Sequence, residues 1–126
     1  MSRDAVLRAS KDNDVDAMSE LLSRDPGAAT ISNQIGQTGL HVAGIWGSIE
    51  AAKLLIKHGA DVNARNQFGL APLHGAAQSD RIEFIRLLIE NGADPDARAT
   101  NGMRPCDVAK TDEMRLLLGG ICMVCE

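Results

Sequence analysis

The sequence predicts an all-α solenoid in which helix-turn-helix units stack on one another and are joined by hairpin-like turns. One observation is an internal repeat of 33 residues, seen in the pairs Gly36/Gly69, Leu40/Leu73, His41/His74, Ala43/Ala76, Leu55/Leu88 and Gly59/Gly92. The other is the helical spacing of apolar residues within each unit. A repeat of this length is typical of units that cannot bury their apolar faces alone and must stack.

The first unit is expected to hold two short helices between Ala5 and Leu22, where apolar residues recur at helical spacing. The turn between them falls on Asn13, and the matching positions of the next units are Gly47 and Asp80. These residue types tolerate the left-handed backbone conformation that a helix end often needs. We therefore expect the same turn in all three units.

The second and third units are expected to begin their first helices at Thr38 and at Ala71-Pro72. Thr38 is placed to cap its helix, whereas the third unit has alanine at that position. Gly39 stands where the third unit has proline, whose fixed φ favours a helix start. The stretch between the first and second units, residues 26–34, is expected to be a loop because it opens with proline and glycine.

Two stretches then resemble a known family. The Thr-Pro-Leu-His signature of ankyrin repeats resembles two segments, Thr38-Gly39-Leu40-His41 and Ala71-Pro72-Leu73-His74. The Gly-Ala-Asp signature of the same family follows each segment, beginning at Gly59 and at Gly92. The resemblance implies a repeat domain over residues 1–118 with repeats near 1–32, 33–65, 66–98 and 99–118, the outer two being degenerate caps. Residues 119–126 would form a C-terminal tail.

The composition excludes several classes of function. A net charge of −4, a pI near 5.3 and the lack of a basic run argue against a nucleic-acid partner. The sequence shows no signal-peptide core and no long apolar run, so we expect no membrane partner and a cytoplasmic protein that can also be nuclear. Without a phosphate-binding glycine loop or a catalytic constellation, we expect no enzyme activity and no cofactor.

Binding of another protein is the function that the resemblance implies. Ankyrin repeats bind proteins in a concave groove formed by the turn tips and the first helices, and we expect a monomer that does the same. Carried over position by position, the groove residues are Gln34, Ile35, Gln37, Ile45, Trp46, Gln67, Phe68, Leu70, Gln78, Ser79, Thr100, Asn101 and Met103.

Two of the three aromatic residues in the chain, Trp46 and Phe68, fall on groove positions beside other apolar ones. An exposed apolar cluster usually marks a binding site, and tryptophan is enriched among interface hot spots. In the alternative interpretation, Trp46 folds over the neighbouring repeat and only fills a gap. The binding interpretation is favoured because glutamine and asparagine side chains surround the cluster with a polar rim.

His41 and His74 occupy the family's structural histidine position. The resemblance implies that each ring bonds to the neighbouring turn and ties one repeat to the next, rather than binding a metal or acting in catalysis. Position 107 holds aspartate instead, so we expect the tie to be altered in the last unit.

Asn63 matches the pattern that asparaginyl hydroxylases modify in ankyrin repeats, and it is a candidate modification site. Ordinarily the asparagine at this position bonds across the turn. The modification also requires a eukaryotic cell, which the sequence does not specify.

Three cysteines, an odd number near the C-terminus, predict no disulfide framework. Cys122 and Cys125 form a Cys-x-x-Cys pair, which is half of a structural zinc site, and we expect no metal there. Three interpretations stay open: the pair is incidental, it belongs to a zinc site shared by two chains, or it opens a RING-type zinc domain, which it resembles.

Two functions follow from these patterns. The favoured one is a non-enzymatic interaction module, a regulator or adaptor, that holds a partner protein in the groove with Trp46, Phe68 and Leu70 as anchors. The alternative is the substrate-recognition portion of a RING-type ubiquitin ligase that is truncated at the start of its zinc domain.

Overall fold

Helix pairs make up nearly all of the regular structure in this computed structural model, which describes residues 2–109 together with residues 111 and 113. In order, the helices are α1 Ser2–Asp12, α2 Val15–Arg24, a 3₁₀ helix Pro26–Thr30, α3 Gly39–Trp46, α4 Ile49–Lys57, α5 Pro72–Gln78, α6 Ile82–Glu90 and α7 Pro105–Val108. Among these described residues, isolated β pairing is limited to a bridge between Ser32 and Thr38. The predicted all-α architecture is confirmed.

The helices form two layers. The first helices of the units, α1, α3, α5 and α7, pack side by side in one layer, while the second helices, α2, α4 and α6, pack in the other. The side chains between the layers are fully buried and include Leu40, Leu55, Leu73, Phe84, Ile85 and Leu88. Each pair therefore buries its apolar face against its neighbours, as the repeat predicts.

The turn inside each of the first three units has the predicted left-handed residue. φ is +52° at Asn13, +74° at Gly47 and +59° at Asp80. Gly59 and Gly92, which follow the second helices, both have a φ of +95°. Glycine suits these two positions because a Cβ atom disfavours such angles.

The segment after α2 differs from the prediction of a loop. Residues 26–30 form a 3₁₀ helix, and the Asp25 carboxylate caps it by accepting a hydrogen bond from the Gly27 N–H at 3.1 Å. Ala28 and Ala29 are buried within this short helix. The proline and glycine that follow α2 thus begin a new helical turn instead of a loop. Burial of the two alanines stabilises this turn.

Close packing explains the glycine at the start of α3. A Cβ atom added at Gly39 would lie 2.8 Å from Ser10 Oγ and 2.9 Å from a methyl carbon of Leu55. Proline carries such an atom, so it would collide here although its φ suits a helix start. Contact with α1 and α4 therefore selects glycine at this position.

His41 and His74 tie each unit to the next. The Nδ1 atom of His41 accepts a hydrogen bond from the Thr38 N–H at 3.1 Å, and its Nε2 lies 2.7 Å from the Leu70 carbonyl oxygen. The His74 ring repeats this with the Ala71 N–H at 3.0 Å and the Met103 carbonyl oxygen at 2.8 Å. A backbone N–H can only donate, so Nδ1 is the acceptor and Nε2 carries the proton.

Asp107 replaces this histidine in α7. Its Oδ2 accepts a hydrogen bond from the Arg104 N–H at 2.9 Å, which reproduces the local bond of the histidine ring. The Arg104 Nε atom lies 3.5 Å from the same oxygen. A carboxylate has no N–H that could donate as Nε2 does, so Asp107 reproduces only the local bond of the histidine ring.

We predict that the free energy of unfolding falls as the pH is lowered from about 7.5 to about 5.5. Burial lowers the pKa of His41 and of His74 below the ordinary value of 6.5, because the charged ring loses its water. As the pH falls, the unfolded chain therefore binds protons before the folded chain does. The stability that the two neutral rings contribute is fully present above about pH 6.5 and decreases below it. The pKa of Asp107 is lowered from 3.8 by its bond to Arg104, so protonation of Asp107 affects stability only at pH values below this range.

Urea unfolding of the wild type and of His74→Asn at the two pH values checks this. The asparagine can keep the local acceptor but cannot titrate, so the variant should be less stable near neutrality and less sensitive to pH. His58→Asn, at an exposed position, is the control and should behave like the wild type. Equal stability of the wild type at both pH values would contradict the prediction.

Adjacent leucines of α4 provide a test of the core. Leu55 is fully buried, whereas Leu54 is only half-buried. Leu55→Ala should lower the free energy of unfolding by about 2–5 kcal/mol because it leaves a cavity between the layers. In the same urea experiment, Leu54→Ala should cost clearly less, and a larger loss there would contradict the placement of the core.

Candidate functional site

The hairpin tips, residues 33–38, 66–71 and 99–104, present the first group of groove residues. In the second tip, Asn66 Oδ1 accepts hydrogen bonds from the Phe68 N–H at 2.8 Å and the Leu70 N–H at 3.0 Å. Asn33 does the same one repeat earlier, with two bonds of 3.0 Å. Sequence reasoning missed these positioning residues, although two asparagines 33 residues apart were a usable signal.

The three tips are also bonded to one another. The Gln67 N–H donates to the Ile35 carbonyl oxygen at 2.7 Å, and the Thr100 N–H donates to the Phe68 carbonyl oxygen at 3.0 Å. The histidine ties reach the end of the second tip at Leu70 and of the third at Met103. Backbone and side-chain bonds therefore hold the tips in one row, which limits their movement relative to each other.

The apolar groove residues differ in exposure. Trp46 is 52% exposed and Phe68 is 51% exposed, whereas Phe84, the third aromatic residue, is fully buried. The remaining apolar groove residues, Ile35, Ile45, Leu70 and Met103, are half-buried. Most polar groove residues are exposed, among them Gln34, Gln67, Gln78 and Asn101, while Gln37 is half-buried.

Ile45 and Trp46 end α3 and have different neighbours. A Cβ atom at Gly75 would lie 3.2 Å from Ile45 Cγ1, so Ile45 packs over the glycine of α5. Trp46 instead contacts the first unit, where the Lys11 ammonium nitrogen lies 4.9 Å from the ring centroid. The indole thus touches a neighbouring unit, yet about half of its surface stays open to solvent.

Asn63 bridges the second and third units. Its Nδ2 donates to the Gly92 carbonyl oxygen at 3.1 Å, and its Oδ1 accepts a hydrogen bond from the Asp94 N–H at 2.8 Å. Both polar atoms of the exposed amide are therefore engaged across the turn. Modification of Asn63 stays a prediction, and an enzyme would first have to break these two bonds.

Cys106 is the one cysteine among the residues that the structure describes. It is 1% exposed and takes part in a disulfide bond. A single bridge is not a framework of several, so the expectation of no disulfide framework stays a prediction. Cys122 and Cys125, and with them the zinc and RING interpretations, lie outside the described residues.

Metal-binding and membrane-spanning features were sought in the described part of the chain. No group of three histidine, cysteine, aspartate or glutamate side chains there is arranged to hold a metal ion. None of the helices described is long and apolar enough to cross a bilayer. The neutral rings of His41 and His74 serve as hydrogen-bonding groups between backbone atoms.

We predict that Asn66→Ala destabilises the second tip. Asn66 is 8% exposed, and its loss leaves the Phe68 and Leu70 N–H groups without their acceptor, which should cost about 1–3 kcal/mol of unfolding free energy. Asn101→Ala is the control, because its exposed side chain accepts a single bond, from the Met103 N–H at 3.0 Å. Thermal and urea unfolding should separate the two variants, and equal losses would contradict this role of Asn66.

Comparison with known proteins gives the family. The family model described as ankyrin repeats matches residues 6–99 in three copies. A search of curated proteins gives no significant match. The match covers most of the chain and includes the first two tips with Asn33 and Asn66, together with His41 and His74. The chain belongs to the ankyrin repeat family, whose members generally serve as protein-protein interaction modules.

Proposed function

We propose that this protein binds a segment of a partner protein in its concave groove, with Trp46, Phe68 and Leu70 as the anchors. The observation that supports this most directly is the exposure of Trp46 and Phe68 at 52% and 51%. Exposed aromatic side chains cost hydration free energy that burial against a partner recovers. Clusters of such side chains usually mark binding surfaces.

The surroundings of the anchors favour an interface. Ile35, Ile45 and Met103 are half-buried and extend the apolar surface, while Gln67 and Gln78 are exposed and can donate and accept hydrogen bonds. An apolar centre with a neutral polar rim is the usual anatomy of a protein-binding site. The groove residues are therefore suited to a peptide that contributes both apolar contacts and backbone hydrogen bonds.

Rigidity of the tips supports the same proposal. The tips are held by the asparagine turns, by the bonds between neighbouring tips and by the histidine ties. A surface that is already ordered loses little conformational entropy on binding, and more of the contact energy then appears as affinity. This favours a groove that binds without rearranging.

The protein would act as a regulator or adaptor, because ankyrin repeats generally serve as protein-protein interaction modules. We propose that it works as a monomer in the cytoplasm, and also in the nucleus. The repeat domain would extend over residues 1–118, with residues 119–126 as a tail. Its biological effect would follow from what the bound partner is prevented from contacting or is brought close to.

Affinity capture from a cell lysate tests the groove. A variant with Trp46→Ser, Phe68→Ser and Leu70→Ser should lose a specific partner that the intact chain retains, because truncation of one hot-spot residue costs about 2 kcal/mol or more, about thirtyfold in affinity. Helical circular dichroism and the melting temperature must first show that the variant is folded.

Val15→Ser is the matched control. Val15 is an apolar side chain, 39% exposed, at the start of α2 and away from the groove. Its loss should leave capture unchanged. A partner that stays bound to the folded triple variant would show that the groove is not the binding site, and the convex layer of second helices would then be the surface to test.

A further inference from the structure

A positive charge lies on the aromatic end of the groove. The ammonium nitrogen of Lys11, in the last turn of α1, is 4.9 Å from the ring centroid of Trp46, the last residue of α3. A cation at this distance is attracted by the negative face of the indole ring. The contact therefore holds a full charge beside the exposed surface of the anchor.

No ion pair of the described residues neutralises this charge. The pairs found there join Arg24 to Glu20, Lys53 to Glu50 and Arg104 to Asp107, and Lys11 takes part in none of them. Asp12, the next residue, instead lines a cavity between α1 and α2 together with Arg8 and Glu20. Lys11 is exposed, so its charge is available to a partner.

The groove itself contains no carboxylate. Its residues, from Gln34 to Met103 as given above, are apolar, amide or hydroxyl side chains. The Lys11 ammonium lies 4.9 Å from the centroid of the Trp46 ring, and the Arg81 Nε, 3.3 Å from the Ile45 carbonyl oxygen, adds a second cation at the end of α3, although the whole chain has a net charge of −4. A partner that enters the groove meets a local charge opposite in sign to that of the whole protein.

We propose that the groove binds an extended peptide segment in which an acidic residue lies next to a bulky apolar one. The apolar side chain packs against Trp46, and the carboxylate of the neighbouring residue pairs with Lys11. A basic residue at the same place would meet a like charge, which an interface avoids. This deepens the proposed function and rests on it, since it names the chemistry of the segment that the groove selects.

Selection from a displayed library of random peptides, with the full chain as target, tests the proposal. Selected peptides that need Trp46 and Phe68 should be enriched in aspartate or glutamate beside a bulky apolar residue. In a synthetic copy of one such peptide, replacement of the carboxylate by a carboxamide should weaken binding about two- to fivefold, as expected for an exposed ion pair. The difference should shrink at high salt.

Lys11→Glu should reverse this preference, so that the carboxamide peptide binds better than the carboxylate peptide. Lys11→Gln, a milder change, should abolish the difference between the two. Lys53→Glu is the matched control because Lys53 is an exposed lysine on α4, in the other helix layer, and it should leave the preference intact. Circular dichroism verifies that all three variants are folded.

The outcomes separate this inference from the function on which it rests. Peptides that depend on Trp46 and Phe68 but show no acidic preference, or keep it in Lys11→Glu, would overturn the inference and leave the groove function standing. If no selected peptide depends on Trp46 and Phe68, the groove function fails and the inference fails with it.

Discussion

Stacking of one helix pair on the next is the constraint on which the rest of this structure depends. Leu40 and Leu73 are fully buried only because neighbouring units cover them, and the histidine ties are part of the same stacking. Each ring satisfies a backbone N–H at the start of its own helix and a carbonyl oxygen in the next tip. Each such bond contributes about 0.5–1.5 kcal/mol, and together they place the tips relative to the buried core.

The repeat allowed much of this fold to be predicted, because a fixed period places equivalent residues in equivalent environments. The left-handed turns at Asn13 and Asp80 are examples, since the residue types alone indicate the conformation. Contacts between distant residues were not predictable in the same way. The choice of glycine at position 39 is explained by close contact with Ser10, and the Trp46 ring has Lys11 as a neighbour. The two residues of each pair belong to different units of the repeat.

The candidate site shows the same division between what sequence reveals and what it does not. Position within the repeat separated Phe68 from Phe84, and the structure leaves the first half-exposed and the second fully buried. The roles of Asn33 and Asn66 were missed because a turn asparagine resembles any polar loop residue until its partners are known.

Trp46 is the single tryptophan of the chain, so its fluorescence reports on the groove without a label. The most direct test of the account is acrylamide quenching of this fluorescence, with and without a captured partner or selected peptide that lacks tryptophan. If the ligand covers the half-exposed ring, quenching should fall and the emission should shift to shorter wavelength. Unchanged quenching in the saturated complex would contradict the claim that the groove is where this protein binds its partner.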